Sequence, residues 1–157
     1  SALQTRVRLK EFSGAGDISV VLGEVYLQKG AKEKAFKAFI DAVYYSEKEE
    51  ESSSLGRAYR ALGSYYFQSK EFELATKYLS LAIQIAKEND DPKLLVNALN
   101  EQANMLVWNK DYENALSLYK EIDAIATQNA FSENRLSTSI NLALVYDNLE
   151  QLIYKST

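Results

Sequence analysis

The stretch Leu-Gly-Glu-Val-Tyr at residues 22–26 returns 40 residues later as Leu-Gly-Ser-Tyr-Tyr at residues 62–66. Two weaker copies keep the interval, Gln-Ala-Asn-Met-Leu at residues 102–106 and Leu-Ala-Leu-Val-Tyr at residues 142–146. The same register holds three alanines, Ala35, Ala75 and Ala115. A fixed period of this length predicts a stack of similar units, none of which buries its apolar face without its neighbours.

Each repeated unit reads as two amphipathic helices joined by a turn. Apolar residues recur at three- and four-residue spacing, and the 157 residues include one proline, six glycines and many helix formers. Gly30 stands where glycine commonly ends a helix. Asp91 and Pro92 mark a helix start, because Asp accepts a bond from free amides and proline presets φ for the first helical position. We predict an all-α fold, about four-fifths helical, with no sheet.

Charge and composition exclude several classes of function. The net charge is −4 and the pI is about 5.0, so we expect no nucleic-acid partner. Cys and His are both absent, which removes the usual nucleophiles, imidazole bases and zinc ligands. Exposed helical carboxylates such as Asp17 and Glu24 are weak candidates for acid–base chemistry. We therefore expect no enzyme activity, no metal and no cofactor.

Hydropathy predicts no membrane-spanning segment. No apolar stretch approaches the roughly 20 residues of a membrane span, and the polar, basic start lacks the apolar core of a signal peptide. A chain without thiols is tolerated in a reducing or an oxidising compartment. We favour the cytoplasm, with the periplasm as the alternative.

The repeated pattern resembles the tetratricopeptide repeat family. Its marks are Leu-Gly-x-x-Tyr, a small residue nine positions later and a large apolar residue four beyond that, which are Ala35 with Phe39 and Ala75 with Leu79. The third copy departs from the pattern at three positions, Gln102, Leu106 and Ile122. The family's usual period is about 34 residues, so these units are longer and look like the long variant of bacterial signalling and regulatory proteins. The resemblance implies an α-α superhelix, a right-handed solenoid of antiparallel helix pairs.

Small residues are expected where the paired helices cross. The first helices carry them at Gly23, Gly63, Ala103 and Ala143, and we expect these to lie opposite Ala35, Ala75 and Ala115. Small side chains let helices approach closely.

The period also divides the chain. We interpret residues 1–157 as a single solenoid domain and a fragment of a longer protein. The predicted segments are the tail of an upstream repeat at 1–15, full repeats at 16–55, 56–95 and 96–135, and a partial repeat at 136–157.

In tetratricopeptide stacks the first helix of each unit lines a concave groove that holds extended peptides or partner helices. The resemblance implies a partner-binding groove made of Arg57, Arg60, Ser64, Gln68, Asn97, Asn100, Glu101, Asn104, Trp108 and Asn141. Asparagine amides can bond a peptide backbone of any sequence, and the two arginines offer a positive pocket for a carboxylate. The alternative is that these polar side chains are simply solvated. For Trp108 we favour packing over the apolar seam rather than anchoring a ligand.

The resulting hypothesis is a non-catalytic protein–protein interaction module, the sensory or scaffolding part of a signalling protein, that binds a peptide or helix. The alternative is a self-assembly module, a homodimer formed through open terminal helix faces.

Overall fold

The computed structural model describes residues 14–49 and 52–157, which form α-helices and no strand. The helices are α1 (Ala15–Gln28), α2 (Lys32–Glu49), α3 (Ser52–Gln68), α4 (Phe72–Glu88), α5 (Pro92–Trp108), α6 (Tyr112–Gln128) and α7 (Ser132–Ser156). From α3 onward, each helix begins 20 residues after the previous one. The predicted all-α class with paired neighbouring helices is confirmed. The predicted upstream tail lies outside the described residues, apart from Gly14 and Ala15.

Five of the turns between helices share one backbone conformation. A residue with positive φ stands in each of five turns, at Gly30, Lys70, Asp90, Lys110 and Ala130. In the first, the amide of Gly30 donates to Leu27 and the next amide, that of Ala31, donates to Tyr26, both at 2.9 Å. This pattern satisfies carbonyls at the end of the helix and reverses the chain within a few residues. The repeated turn explains why the helices begin at equal intervals.

The chain divides into two compact units, Ser1–Leu94 and Leu95–Thr157, with the boundary inside α5. In the first unit α1 packs on α2, and α3 packs on α1, α2 and α4. Its core contains Val20, Ala35, Phe39, Ala42, Ala58, Ala61 and Leu62. Aromatic rings border this core: the Phe36 and Tyr65 centroids are 5.2 Å apart, and Tyr66 stacks on Tyr78 at 5.5 Å.

Glycines on the first helices make room for large side chains of the second helices. A Cβ on Gly23 would meet the ring of Phe39, and one on Gly63 would lie 2.6 Å from Leu79 Cγ. The nearest neighbours are thus Phe39 and Leu79, whereas the sequence interpretation placed Ala35 and Ala75 there. The glycine leaves a hole that a large apolar side chain fills from the paired helix.

In the second unit α6 packs on α7. Its most buried apolar residues are Val96, Ala98, Leu99, Ala103, Met105, Ala115, Tyr119, Ile122, Ala126 and Val145. Ala143 is exposed, in contrast to the fully buried Ala103, so the expected small-residue contact does not extend to α7. One side of α7 exposes large apolar side chains, among them Leu136 and Leu144. Within the described residues, none of the helices combines the length and apolarity needed to cross a membrane.

Candidate partner-binding surfaces

The ten residues predicted to bind a partner all lie on first helices. In the first unit α3 carries Arg57, Arg60, Ser64 and Gln68; in the second, α5 carries Asn97, Asn100, Glu101, Asn104 and Trp108, and α7 carries Asn141. The two groups therefore belong to different compact units, and the local geometry of each decides what it can bind.

In the first unit, Arg57 is held by Asp17 of α1. Nε and Nη2 of Arg57 donate to the two carboxylate oxygens of Asp17 at 2.7 and 2.8 Å, and a third group, the Asp91 carboxylate, lies 3.9 Å from Nη1. Hydrogen bonding from Arg57 holds the pKa of Asp17 below its ordinary value, although partial burial acts in the opposite direction. Such a bidentate ion pair fixes the orientation of both side chains.

A second ion pair lies further along the same two helices. Nη2 of Arg60 donates to Oε1 of Glu24 at 2.7 Å. The Arg60 side chain is only 18% exposed, whereas that of Glu24 is 44% exposed. The predicted positive pocket is thus a row of ion pairs between α1 and α3. A carboxylate from a partner would have to compete with Asp17 and Glu24 for the arginines.

A chain of hydroxyl groups supports the first ion pair. The buried Ser46 donates to Ser54 at 3.1 Å, and Ser54, also buried, donates to Asp17 at 3.1 Å. Gly16 permits this arrangement, since a Cβ there would meet Ser46 Oγ and lie 2.9 Å from Ser54 Oγ. Sequence reasoning missed this network. The one available signal was that Asp17 and Arg57 are separated by one 40-residue period and so occupy the same position on neighbouring first helices.

In the second unit, asparagine side chains line α5 and reach toward α6 and α7. Oδ1 of Asn104 accepts a 2.7 Å hydrogen bond from the buried Tyr119 hydroxyl, and Oδ1 of Asn97 accepts one of 3.4 Å from Asn134. Oδ1 of Asn100 is inaccessible to solvent and has no hydrogen-bond partner within residues 14–49 and 52–157. These three predicted residues therefore differ in role. Asn104 stabilises the core and Asn97 joins two helices, whereas Asn100 holds a buried acceptor that has no donor in the described part of the chain.

The outer members of the predicted set are more exposed. Trp108 is 58% exposed at the end of α5, so it does not pack over the apolar seam as we had favoured. Gln68 is exposed at the end of α3, while Ser64, Glu101 and Asn141 are half-buried on their helices. The alternative role, an anchor for a ligand at the end of the predicted groove, stays a prediction for this exposed indole.

Burial raises the pKa of Tyr119 from 10.0 to about 12. The unfolded phenol loses its proton near pH 10, so the folded state keeps the proton more tightly. We expect the free energy of unfolding to be unaffected by this group below pH 10 and to fall by about 2–3 kcal/mol as pH rises toward 12. Urea denaturation at pH 8, 10 and 12 measures this decrease.

Tyr119→Phe is the matched variant. It should be less stable than wild type at pH 8 by about 1–3 kcal/mol, because Asn104 loses its buried donor. Its stability should then fall less between pH 10 and 12. A variant with the wild-type decrease would show that another group titrates in this range.

Comparison with known families agrees with this architecture. Residues 17–49 and 56–89 match the tetratricopeptide repeat family. These two segments are tetratricopeptide repeats. The two matched segments lie on α1–α2 and α3–α4, the helix pairs that carry Gly23 and Gly63. No curated protein has significant sequence similarity to the chain.

Tetratricopeptide repeats generally act as protein–protein interaction modules and typically as non-catalytic scaffolds. The family thus implies a protein partner. The long-repeat bacterial variant stays a prediction.

Proposed function

We propose that this protein binds an extended peptide segment of a partner protein, and that the asparagine face of α5 and α7 makes the backbone contacts. Asn97, Asn100 and Asn104 follow one another at helical spacing on α5, and Asn141 lies on α7 of the same unit. An amide side chain both donates and accepts, as a peptide group does. The face therefore matches a peptide backbone whatever its side chains.

The carbonyl oxygen of Asn100 is the observation that carries this proposal. A buried acceptor without a donor costs about 1–3 kcal/mol, and Oδ1 of Asn100 has none in the described part of the chain. Rotation of the Asn100 amide about χ2 would turn this oxygen outward, where a backbone N–H of a bound peptide would supply the missing bond. Asn100 is half-buried, so the rest of its side chain is open to a ligand.

Electrostatics favour recognition of the backbone over recognition of an acidic tail. In the first unit Asp17 and Glu24 already neutralise Arg57 and Arg60. The α3 face with Ser64 and Gln68 is a second proposed contact surface, and we expect it to contribute polar contacts rather than a net positive charge. Charge reversal of Arg60 is a poor probe, because it would place two carboxylates side by side and destabilise the fold.

A selection from a phage-displayed library of random peptides tests the proposal. We expect peptides to be recovered. We expect Asn100→Ala to weaken their binding about tenfold, because the variant has no unpaired oxygen in the free protein, so a bound peptide gains no hydrogen bond there. Isothermal titration calorimetry measures the affinity, and a thermal melt verifies folding. Asn109→Ala is the control, since Asn109 is exposed in the turn after α5 and lies outside the predicted groove. Recovery of no peptide, or equal affinity for the Asn100→Ala variant, would contradict the assignment.

Self-assembly is the second candidate, favoured by exposed apolar side chains on α1 and α7. Ile18 and Val21 of α1 are 68% and 58% exposed, and Leu136 and Ile153 of α7 are 67% and 66% exposed. Apolar surface of this kind is common at interfaces. Light scattering over a range of protein concentrations separates a monomer from an assembly.

A further inference from the structure

Two exposed apolar side chains of the second unit occupy positions that are polar in every other copy of the repeat. Trp108, the last residue of α5, is 58% exposed, and Leu144 of α7 is 57% exposed. The residues at the equivalent positions are Gln28, Gln68 and Asn148 for the tryptophan and Glu24, Ser64 and Asn104 for the leucine. The scaffold therefore requires neither apolar side chain. Exposed apolar groups that the fold does not need point to contact with another molecule.

The register between neighbouring first helices brings these two side chains together. Asn97 of α5 and Asn134 of α7, which are hydrogen-bonded, stand 37 positions apart. In the first unit α1 and α3 are joined by the ion pair of two residues 36 positions apart. Trp108 and Leu144 are also 36 positions apart. We therefore expect the indole to lie beside the leucine, and we call these two residues the apolar platform.

The apolar platform continues the row of asparagines that the proposed peptide contacts. Asn100, Asn104 and Trp108 follow one another at four-residue intervals on α5. Four residues of helix rise about 6 Å, and two residues of extended chain span about 6.6 Å. Oδ1 of Asn104 accepts a hydrogen bond from Tyr119, so Asn104 meets a peptide carbonyl through its N–H groups. The peptide residue two positions further along then lies over the indole.

We propose that the apolar platform binds a large apolar side chain of the peptide, two residues from the one bonded to Asn104. This inference rests on the proposed function and adds the side-chain specificity that the asparagines do not supply. Leucine, methionine and aromatic side chains fit, because they gain apolar contact with both Trp108 and Leu144. A charged side chain would lose water against Leu144 without gaining a polar partner there. The partner is thus an extended segment with one apolar anchor residue.

Two display selections in parallel test the proposal, one on the wild type and one on the double variant Trp108→Gln, Leu144→Ser. The variant copies the residues at Gln68 and Ser64, so it should fold normally, and a thermal melt verifies this. Peptides recovered on the wild type should share a large apolar residue at one position, and those recovered on the variant should lack it. The wild-type peptides should bind the variant about tenfold more weakly, because the anchor loses apolar contact area.

Fluorescence gives a second measurement that needs no variant of the protein. Trp108 is the one tryptophan among the 157 residues, so the tryptophan emission reports on the apolar platform alone. At saturation, a recovered peptide without tryptophan should shift this emission to shorter wavelength, because the anchor displaces water from the indole. The same peptide with alanine in place of the anchor should bind about tenfold more weakly and leave the emission at its original wavelength.

Tyr146→Gln is the control variant. Tyr146 is 49% exposed on α7, and two residues of helix turn by about 200°, so it faces away from Leu144. This variant should bind the peptides with wild-type affinity. The same peptide consensus from both selections, or an unshifted Trp108 emission at saturation, would overturn the apolar platform.

The Asn100→Ala variant separates this inference from the proposed function. Weaker peptide binding by Asn100→Ala together with an unshifted Trp108 emission would overturn the apolar platform alone. A shifted emission together with wild-type affinity of Asn100→Ala would overturn the asparagine contacts and leave the apolar anchor. Recovery of no peptide on the wild type would overturn both.

Discussion

Gly63→Leu should lower the free energy of unfolding by about 3 kcal/mol, at the upper end of the range for overpacking. A Cβ at Gly63 would lie 2.6 Å from Cγ and 2.8 Å from Cδ2 of Leu79, and 3.2 Å from the Leu79 backbone nitrogen. Leu79 is fully buried, so its side chain has no free space to enter, and the backbone contact requires the two helices to separate. Urea denaturation followed by circular dichroism measures the loss.

The size of the new side chain should set the size of the effect. Gly63→Ala should cost less than Gly63→Leu, since alanine favours a helix by about 1 kcal/mol over glycine and adds only the Cβ. Ser80→Leu, at an exposed position on α4, is the control and should change stability by less than about 0.5 kcal/mol. Wild-type stability of the Gly63→Leu protein would mean that α3 and α4 do not cross at this point.

Phe39→Ala should cost about 3–5 kcal/mol, as expected for removal of a buried aromatic ring. Phe39 is 1% exposed, and its ring lies against Gly23 and 6.3 Å from the centroid of Tyr65. The ring therefore joins α2 to both α1 and α3. Urea denaturation of the variant and the wild type gives the difference.

A double-mutant cycle separates the Gly23 contact from the general loss of apolar area. Gly23→Ala should destabilise the wild type, because its Cβ meets the Phe39 ring. In the Phe39→Ala background the same change should stabilise the protein, by up to about 1 kcal/mol, since only the gain in helix propensity remains. Additive effects of the two substitutions would contradict the proposed contact.

Most of the fold could be predicted because the same pattern of apolar residues and turn residues recurs every 40 residues. The positions of Gly30 and Pro92 marked helix ends that the structure confirms. The partners of Gly23 and Gly63 were predicted one turn too early, at Ala35 and Ala75. The period shows that α1 and α2 pair. The angle at which they cross decides whether Phe39 or Ala35 lies against Gly23, and that angle depends on how the side chains of both helices pack.

The candidate site was harder to predict than the fold, because its chemistry depends on contacts between repeats. The sequence identified Arg57 and Asn104 as polar residues on first helices, which is correct. It did not show that Asp17 holds Arg57 or that Tyr119 uses the oxygen of Asn104. Both pairings join side chains from different helices, and only the helix packing shows which polar groups remain available to a partner.

Side-chain amide signals of the asparagines in a ¹⁵N-correlated NMR spectrum test the central claim most directly. A peptide recovered from the display selection is titrated into the protein while the signals of Asn97, Asn100, Asn104 and Asn141 are followed. If the asparagine face binds the peptide, the chemical shifts of the Asn100 and Asn141 signals change with the peptide concentration. The shifts of Asn89 and Asn129, which lie in the turns after second helices, stay constant. Movement confined to Asn89 and Asn129 would contradict peptide binding by the first helices.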